Sequence, residues 1–308
     1  MSGPITTMDV LPSAEVPAPQ SGPIFELYQP RETAIGKTLV RRTLPKRQRR
    51  TIGAWCFADH FGPERTGLAM EVGPHPHIGL HTATWLLAGE LLHRDSLGSE
   101  QLIRPGELNL MTAGSGVTHS EEASPNEVPV HNGIQLWIAQ PDRTRNEAPA
   151  FEHHDALPEA NFDNATATVF LGSFGGVTSS ARADTPIVGV EATLGIGSSV
   201  LELRKEFEYG IIVLEGRLAF KGSPIEQDAL AYFGTGREEL MLTAQEPCIF
   251  LLLGGEPFAE TPLMWWNFVA RTRAEIDQAY QDWQERSPRF GSLDSKLDRI
   301  DAPKPDWR

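Results

Sequence analysis

Two short motifs in this sequence carry residue types that bind metal ions. Residues 75–77 read His-Pro-His, and residues 119–121 read His-Ser-Glu. Side chains two residues apart on a β-strand point to the same face, and a proline holds the residue before it extended. Each motif can therefore present two side chains to one cavity. Three imidazoles and one carboxylate suit a divalent transition metal, so we predict that His75, His77, His119 and Glu121 bind one.

The distribution of histidines along the chain supports this interpretation. All nine histidines lie before residue 155, and residues 155–308 contain none. An isolated His-x-His pair is more often an ordinary surface or core feature than a metal site. The second motif and the clustering of histidines favour metal binding over that alternative. Any histidine chemistry is therefore expected in the N-terminal half.

Short apolar runs separated by turn residues predict an all-β protein. Residues 81–92 (HTATWLLAGELL) read as a strand, a glycine turn and a second strand, and residues 133–139 (GIQLWIA) as another strand. Pro105 and Gly106 mark a tight turn within residues 100–112. Many short strands at this spacing are typical of a β-sandwich or barrel.

One helix is predicted near the C-terminus. Thr272 and Glu275 have the spacing of a capping box. Apolar residues follow with helical periodicity, at Ile276, Ala279, Tyr280 and Trp283. We expect this helix to end before Ser287-Pro288 and to pack against a barrel.

A weak internal repeat suggests a second barrel without a metal. Residues 84–96 (TWLLAGELLHRDS) resemble residues 211–223 (IIVLEGRLAFKGS), each an apolar strand, a glycine and a second strand. The positions that align with the three histidines are Glu202, Arg204 and a residue near Met241. An arginine is a fixed cation and repels a metal ion, so the second copy is predicted to keep the barrel alone.

The composition of the chain limits the kinds of partner that the protein can bind. The chain has 308 residues and a net charge of −14, which disfavours direct binding to nucleic acid or an anionic membrane. The basic run at residues 41–50 (RRTLPKRQRR) is a candidate nucleic-acid patch, but we favour a loop that offsets the acidic body. The two cysteines, Cys56 and Cys248, exclude a disulfide framework.

The N-terminal segment and the apolar runs of the chain predict the cellular compartment of the protein. The longest apolar run, residues 248–253, is far shorter than the ~18 residues of a membrane helix. Residues 1–23 are rich in proline and serine and lack the basic start and apolar core of a signal peptide. We therefore predict a mobile N-terminal tail, no membrane partner and a cytoplasmic protein.

Several longer motifs together resemble the pirin family of the cupin superfamily. The resemblance runs from about residue 25 to residue 270. The motifs that carry it are 57–63 (FADHFGP), 74–79 (PHPHIG), 84–92 (TWLLAGELL), 94–101 (RDSLGSEQ), 104–106 (RPG), 111–122 (MTAGSGVTHSEE) and 131–137 (HNGIQLW).

The resemblance implies a fold, a domain division and a cofactor. The fold is all-β, with two tandem jelly-roll-like cupin barrels and a short C-terminal helix. The expected divisions are a metal-binding barrel at 24–145, a barrel without metal at 146–260 and a helix with its tail at 261–308. It also implies one divalent transition metal per chain, with Fe(II) favoured over nickel, copper, manganese or zinc. The metal ligands that the resemblance implies are His75, His77, His119 and Glu121.

The sequence departs from the cupin pattern at one position. Many cupins carry a glutamate four residues after the second histidine of the first motif, where this chain has His81. Counted along one strand, His81 has the parity of His75 and His77. Because four ligands already suffice, we expect His81 to lie beside the site and not to bind the metal.

Two functions follow from the resemblance. The first is a dioxygenase of the quercetin 2,3-dioxygenase type, in which a small aromatic substrate such as a flavonol chelates the metal, reacts with O₂ and releases carbon monoxide. Glu121 is then both a metal ligand and the candidate catalytic general base. The second is a metal-binding regulatory protein without enzymatic activity, acting on a protein partner as a transcriptional co-regulator or as the partner of a metabolic enzyme.

Overall fold

The structure, a computed structural model, describes residues 22–35, 38–64, 71–126 and 130–307. It confirms the all-β prediction, since two β-barrels precede a single C-terminal α-helix in the described part of the chain. Of the predicted mobile tail, residues 1–21 lie outside the described residues.

The first barrel consists of a seven-stranded and a four-stranded sheet. In hydrogen-bonding order, the larger sheet contains β12 (Ala150–His154), β9 (Leu108–Thr112), β6 (Leu80–Ala88), β11 (His131–Ala139), β4 (Trp55–Glu64), β3 (Thr38–Leu44) and β2 (Arg31–Ile35). The smaller sheet contains β5 (Val72–His77), β10 (Val117–Ala123), β7 (Leu91–Asp95) and β8 (Glu100–Ile103). The described neighbours in both sheets are antiparallel.

The second barrel repeats this arrangement. Its larger sheet contains β1 (Pro23–Tyr28), β21 (Leu230–Gly234), β18 (Glu208–Glu215), β23 (Cys248–Gly255), β16 (Ile187–Leu194), β14 (Ala165–Phe174), β13 (Glu159–Phe162) and the short β15 (Val177–Thr178), which pairs with β14. Its smaller sheet contains β17 (Gly197–Glu202), β22 (Glu239–Ala244), β19 (Leu218–Phe220) and β20 (Ser223–Ile225).

Two strands pair with the barrel on the other side of the predicted domain boundary. Apart from Pro23, β1 lies in the predicted first range, 24–145, but it pairs with β21 of the second barrel. β12 lies in the predicted second range, 146–260, but pairs with β9 of the first. Sequence ranges cannot capture this exchange, because the free N–H and C=O groups of an edge strand pair with whichever strand lies beside them.

The two larger sheets pack face to face and form a shared apolar core. Ala58 and Leu136 of the first barrel belong to the same buried cluster as Ile212 and Leu251 of the second. The ring of Trp85 stacks on a phenylalanine of the second barrel, with 5.0 Å between the ring centroids. Alternate residues of each strand face this core, so the residues between them face the barrel interiors.

The two barrel interiors differ in polarity. The second is filled by apolar side chains, among them Val190, Ile211 and Phe250. In the first barrel, the buried side chains that face the interior include Arg42 and Asp59. They form an ion pair in which Arg42 Nε lies 2.8 Å from Asp59 Oδ1. The first barrel therefore has an interior suited to polar chemistry, and the second has a packed hydrophobic core.

A C-terminal hairpin and helix lie against the first barrel. The hairpin consists of β24 (Leu263–Trp265) and β25 (Phe268–Ala270), followed by α1 (Arg273–Gln284) and a 3₁₀ turn (Pro288–Phe290). The predicted capping box is present: Glu275 N donates to Thr272 Oγ1 over 3.2 Å, and Thr272 N donates to Glu275 Oε2 over 3.0 Å. No helix within the described ranges is long and apolar enough to cross a membrane.

The basic run at residues 41–50 is used inside the molecule. Arg41 Nε lies 2.6 Å from Asp228 of the second barrel. Arg42 is only 1% exposed, and the guanidinium of Arg49 lies 3.6 Å from the ring centroid of Tyr232. These three side chains bind acidic and aromatic groups of the protein itself.

Candidate metal centre

The pairing of β5 with β10 brings the two histidine motifs together. His119 lies directly opposite His75, and Val117 lies opposite His77. All three histidines are buried. The i, i+2 spacing thus acts as predicted, because it places His75 and His77 on one face of β5 and that face meets β10.

The three imidazoles form a compact cluster. One nitrogen of each histidine lies within 4.8 Å of the corresponding atoms of the other two. Nε2 of His77 is 3.1 Å from Nε2 of His119, and the rings of His75 and His119 are 4.3 Å apart. Among the described residues, this is the set of His, Cys, Asp or Glu side chains close enough to hold one ion.

Backbone carbonyls fix the orientation of two of the rings. Nδ1 of His75 donates to the carbonyl of Gly73 over 2.8 Å, and Nδ1 of His77 donates to the carbonyl of Asn267 over 3.1 Å. A proton on Nδ1 leaves Nε2 with a free lone pair. This arrangement is the one that orients metal-binding histidines in proteins.

Burial keeps these imidazoles neutral. It lowers the pKa of His77 to about 3. It also lowers the pKa of His119 well below its usual value, and the neighbouring imidazoles of His75 and His77 lower it further. Neutral imidazole is the form that binds a metal ion, so the cluster does not lose its ligands to protonation at neutral pH.

The donor set fits a divalent transition metal. Nε2 of His75 is buried and has no hydrogen-bond partner among the described residues. An unsatisfied buried nitrogen costs about 1–3 kcal/mol, and a bound cation removes that cost. Three neutral imidazole nitrogens suit borderline metals such as iron, nickel, copper and zinc.

Glu121 lies on the same strand but outside the compact set. Its side chain is 1% exposed, as parity with His119 predicts. The register of β10 against β5 shifts between His119 and Glu121, so that Glu121 lies opposite Val72. Burial lowers the pKa of His75 well below its usual value, and the charge of the Glu121 carboxylate acts in the opposite direction. Its role as a fourth ligand remains a prediction.

His81 does not lie beside the site, and our expectation for it was wrong. Its Nδ1 is 2.9 Å from Thr112 Oγ1, and its Nε2 is 3.1 Å from Asp184 Oδ2 in the second barrel. The parity count assumes one continuous strand. Gly79, with a φ of 67°, instead separates β5 from β6, and β6 belongs to the other sheet. A Cβ at this position would collide with the carbonyl oxygen of Val269, so the turn needs glycine.

Two further residues, His93 and Asn267, lie near the cluster. His93 lies opposite Glu121 in the β7–β10 pair. Its ring is 5.3 Å from that of His119. Asn267 is fully buried and holds His77 from the C-terminal hairpin. The sequence alone placed His93 either at the mouth of the site or on a turn, and it carried no signal for Asn267.

The C-terminal tail covers the outer faces of the two ligand strands. Thr118 Oγ1 donates to the carbonyl of Phe290 over 2.9 Å. The amide of Ile300 donates to the carbonyl of Pro74 over 2.9 Å. Thr118 and Pro74 each neighbour a histidine of the cluster. The tail therefore restrains both strands from the side opposite the imidazoles.

Glu122 belongs to this restraint and is not the solvated charge that parity suggests. It is 8% exposed. One of its oxygens accepts hydrogen bonds from Ser120 Oγ at 2.9 Å and Ser295 Oγ at 2.6 Å. The outward direction is as parity predicts, but the tail occupies the position where solvent was expected.

Two other histidines and the aligned positions of the second barrel lie elsewhere. His153 and His154 are half-buried on β12, and His154 Nε2 is 3.0 Å from Glu152 Oε2. In the second barrel, Glu202 is exposed on β17, and the side chain of Met241 on β22 is 55% exposed. The histidine cluster described above belongs to the first barrel, and the absence of a metal from the second stays a prediction.

Comparison with protein families matches both halves of the chain. The family model described as Pirin matches residues 37–138. The model described as Pirin C-terminal cupin domain matches residues 190–291. The first match lies within the range of the first barrel, and the second spans much of the second barrel together with the C-terminal hairpin and helix. Together they cover more than half of the chain.

Individual proteins are similar over most of their length. A Pseudomonas aeruginosa protein named "Putative quercetin 2,3-dioxygenase PA1205" is 46% identical, covering 89% of this chain and 88% of that protein. A "Pirin-like protein" of Caulobacter vibrioides is 34% identical, covering 87% and 96%. The crystal structure of a quercetin 2,3-dioxygenase from Acinetobacter baumannii superposes with a TM-score of 0.88 at 42% identity, covering 92% and 96%.

Proposed function

Because the chain belongs to the pirin family, we propose that it is a metal-dependent dioxygenase that cleaves a small chelating aromatic substrate, a flavonol of the quercetin type. The observation that carries the proposal is the convergence of three neutral, buried imidazoles on one point. The similarity to a quercetin 2,3-dioxygenase over 92% of the chain supports the substrate class.

His75, His77 and His119 would hold the metal, each through one ring nitrogen. The bound metal would supply Lewis-acid chemistry for a chelating substrate. The carbonyls of Gly73 and Asn267 keep the rings in place during turnover. The buried position of the cluster excludes bulk water, which strengthens electrostatic interactions at the reacting atoms.

Glu121 is proposed to serve as ligand and general base. A flavonol binds a metal most strongly after its 3-hydroxyl has lost a proton, and a nearby carboxylate can accept that proton. Glu121 is buried on the strand that carries His119. Its electrostatic interaction with His75 supports a position near the reacting atoms.

We propose Fe(II) as the resident metal. Three imidazoles with one carboxylate suit a borderline divalent ion, and nickel, copper, manganese and zinc are the alternatives that the same donors accept. Elemental analysis of protein purified without chelators, with spectroscopy of the reconstituted forms, identifies the ion. We expect close to one ion per chain.

Oxygen uptake tests the proposed activity. Protein loaded with each metal is incubated with quercetin, and oxygen consumption and carbon monoxide release are measured together. Stoichiometric release of carbon monoxide supports the dioxygenase. Metal binding without turnover of quercetin or of catechol-type compounds overturns it and leaves the regulatory function as the surviving hypothesis. Cell fractionation tests the proposed cytoplasmic location separately.

A further inference from the structure

The interior face of the larger sheet of the first barrel carries a row of polar side chains. Thr84 of β6 lies between Asn109 of β9 and Gln135 of β11, directly opposite both. Residues of the other parity on these strands, such as Leu110 and Leu136, belong to the core between the barrels. The polar row therefore points into the first barrel.

Three hydrogen-bond donors on this interior face have no acceptor among the residues that the structure describes. Nδ2 of Asn109, Nε2 of Gln135 and Nε1 of Trp137 are buried and have no hydrogen-bond partner within the described ranges. The amide oxygens are already in use: Thr84 Oγ1 donates to Gln135 Oε1 over 3.0 Å, and His153 Nδ1 lies 2.7 Å from Asn109 Oδ1. These contacts leave the amino groups of both amides free.

On the opposite face of the same sheet, a buried indole N–H has an acceptor. The indole N–H of Trp85 donates to Glu191 Oε2 over 2.6 Å. A buried donor without an acceptor costs about 1–3 kcal/mol. Three such donors on one face therefore destabilise the folded protein, and an acceptor supplied by a bound ligand is the simplest way to remove this free-energy cost.

One of these donors, Trp137, adjoins the histidine cluster. The ring of Trp137 meets that of His77 edge-on, with 5.2 Å between centroids, and stacks on Phe57 at 4.0 Å. Asn109 and Gln135 are two strands apart, which corresponds to about 10 Å, and Trp137 is two residues from Gln135 along β11, about 7 Å. This spread matches a fused aromatic ligand with oxygen atoms around its rim.

We propose that Asn109, Gln135 and Trp137 form an acceptor-binding wall that holds the peripheral oxygen atoms of the substrate. The inference rests on the proposed function, since it assigns the site to a substrate whose chelating oxygens reach the metal. It adds a specificity rule: aromatic ligands with ring hydroxyls beyond the chelating pair bind more tightly than ligands with the chelating pair alone. These residues position the substrate and take no part in proton transfer.

Two flavonols and three variants test the wall. Quercetin carries four hydroxyls besides its chelating group, whereas 3-hydroxyflavone carries the chelating group alone. Binding of each to metal-loaded protein is measured anaerobically by calorimetry, in the wild type, in Gln135→Met and in Trp137→Phe. Trp85→Phe is the matched control, because it removes an indole N–H from the opposite face of the same sheet.

We expect Gln135→Met and Trp137→Phe to bind quercetin about 5- to 20-fold more weakly, the effect of one buried hydrogen bond. Their affinity for 3-hydroxyflavone and their metal content should not change, and Trp85→Phe should match the wild type for both ligands. Equal losses for both flavonols, or no loss, overturn the wall while leaving the dioxygenase proposal intact. A wild type that binds neither flavonol overturns both.

Discussion

The main-chain carbonyl of Asn267 accepts a hydrogen bond from Nδ1 of His77 over 3.1 Å, although the two residues are 190 positions apart in the chain. Asn267 lies in the turn between β24 and β25, next to Trp266, whose φ of 51° is unusual for a residue other than glycine. A C-terminal segment thus fixes the ring of His77, a proposed metal ligand of the N-terminal barrel.

The isolated first barrel should therefore fail to form a working site. We expect a fragment of residues 1–145 to aggregate, because it exposes the apolar face that packs on the second barrel and lacks the partner of β1. Size-exclusion chromatography and metal analysis check this, with co-expression of residues 146–308 as the control. A soluble, metal-loaded fragment as active as the full chain would show that the second half is dispensable.

Removing one imidazole should abolish tight metal binding. His77→Ala and His119→Ala each leave two imidazoles, and we expect affinity to fall by more than about 100-fold. His154→Ala is the control, since His154 lies on β12 and contacts Glu152. Metal content after reconstitution and dialysis measures the effect. Similar occupancy in all three variants would refute the assignment.

Glu121→Gln should separate metal binding from proton transfer. An amide retains an oxygen that can bind a metal but cannot accept a proton at neutral pH. We expect the variant to keep most of its metal and to lose about 100-fold or more in kcat. Elemental analysis and oxygen uptake are measured on the same sample. If the remaining activity follows metal occupancy alone, Glu121 is a ligand without a role as base.

Glu191→Gln should change the pH dependence of stability. Burial raises the pKa of Glu191, and the charge of Glu215 raises it further, against the hydrogen bond from Trp85. The folded state thus binds this proton more tightly than the unfolded chain does. The group's contribution to stability is complete at acid pH and is lost as pH rises through the raised pKa.

The variant cannot ionise and escapes this loss. We therefore expect its Tm, relative to that of the wild type, to be about 2–4 °C higher at pH 8 than at pH 5. Differential scanning calorimetry at both pH values checks the difference. A constant offset between the two proteins would indicate that Glu191 does not titrate in this range.

Ser295→Ala should loosen the tail that covers β10. The substitution removes a hydrogen bond of 2.6 Å to Glu122, which costs about 1 kcal/mol or more when the acceptor is charged. We expect a lower Tm and metal affinity reduced by up to about 10-fold. Ser173→Ala, which removes a hydroxyl contact with Thr178 in the second barrel, is the control. Unchanged metal affinity in Ser295→Ala would mean that the tail stabilises the fold without restraining the ligands.

The sequence by itself determined the features that depend on local spacing. The His-x-His motif of His75 and His77 predicted a shared face on one strand, and Thr272 with Glu275 predicted the start of the helix. Both are intrinsic to a few consecutive residues, because strand alternation and helix capping are set by backbone geometry over two to four positions. The absence of histidine after residue 154 likewise confined this chemistry to the first barrel.

Only the tertiary structure decided which face a strand presents after a turn and which distant segment lies beside it. His81 was misassigned because parity does not survive the positive φ of Gly79. The hydrogen bond from His77 to Asn267, the cover of the tail over Glu122 and the pairing of β1 with β21 each join segments more than 170 residues apart. Such contacts depend on how two sheets pack and on which edge strands remain free, and no periodicity within one segment encodes either.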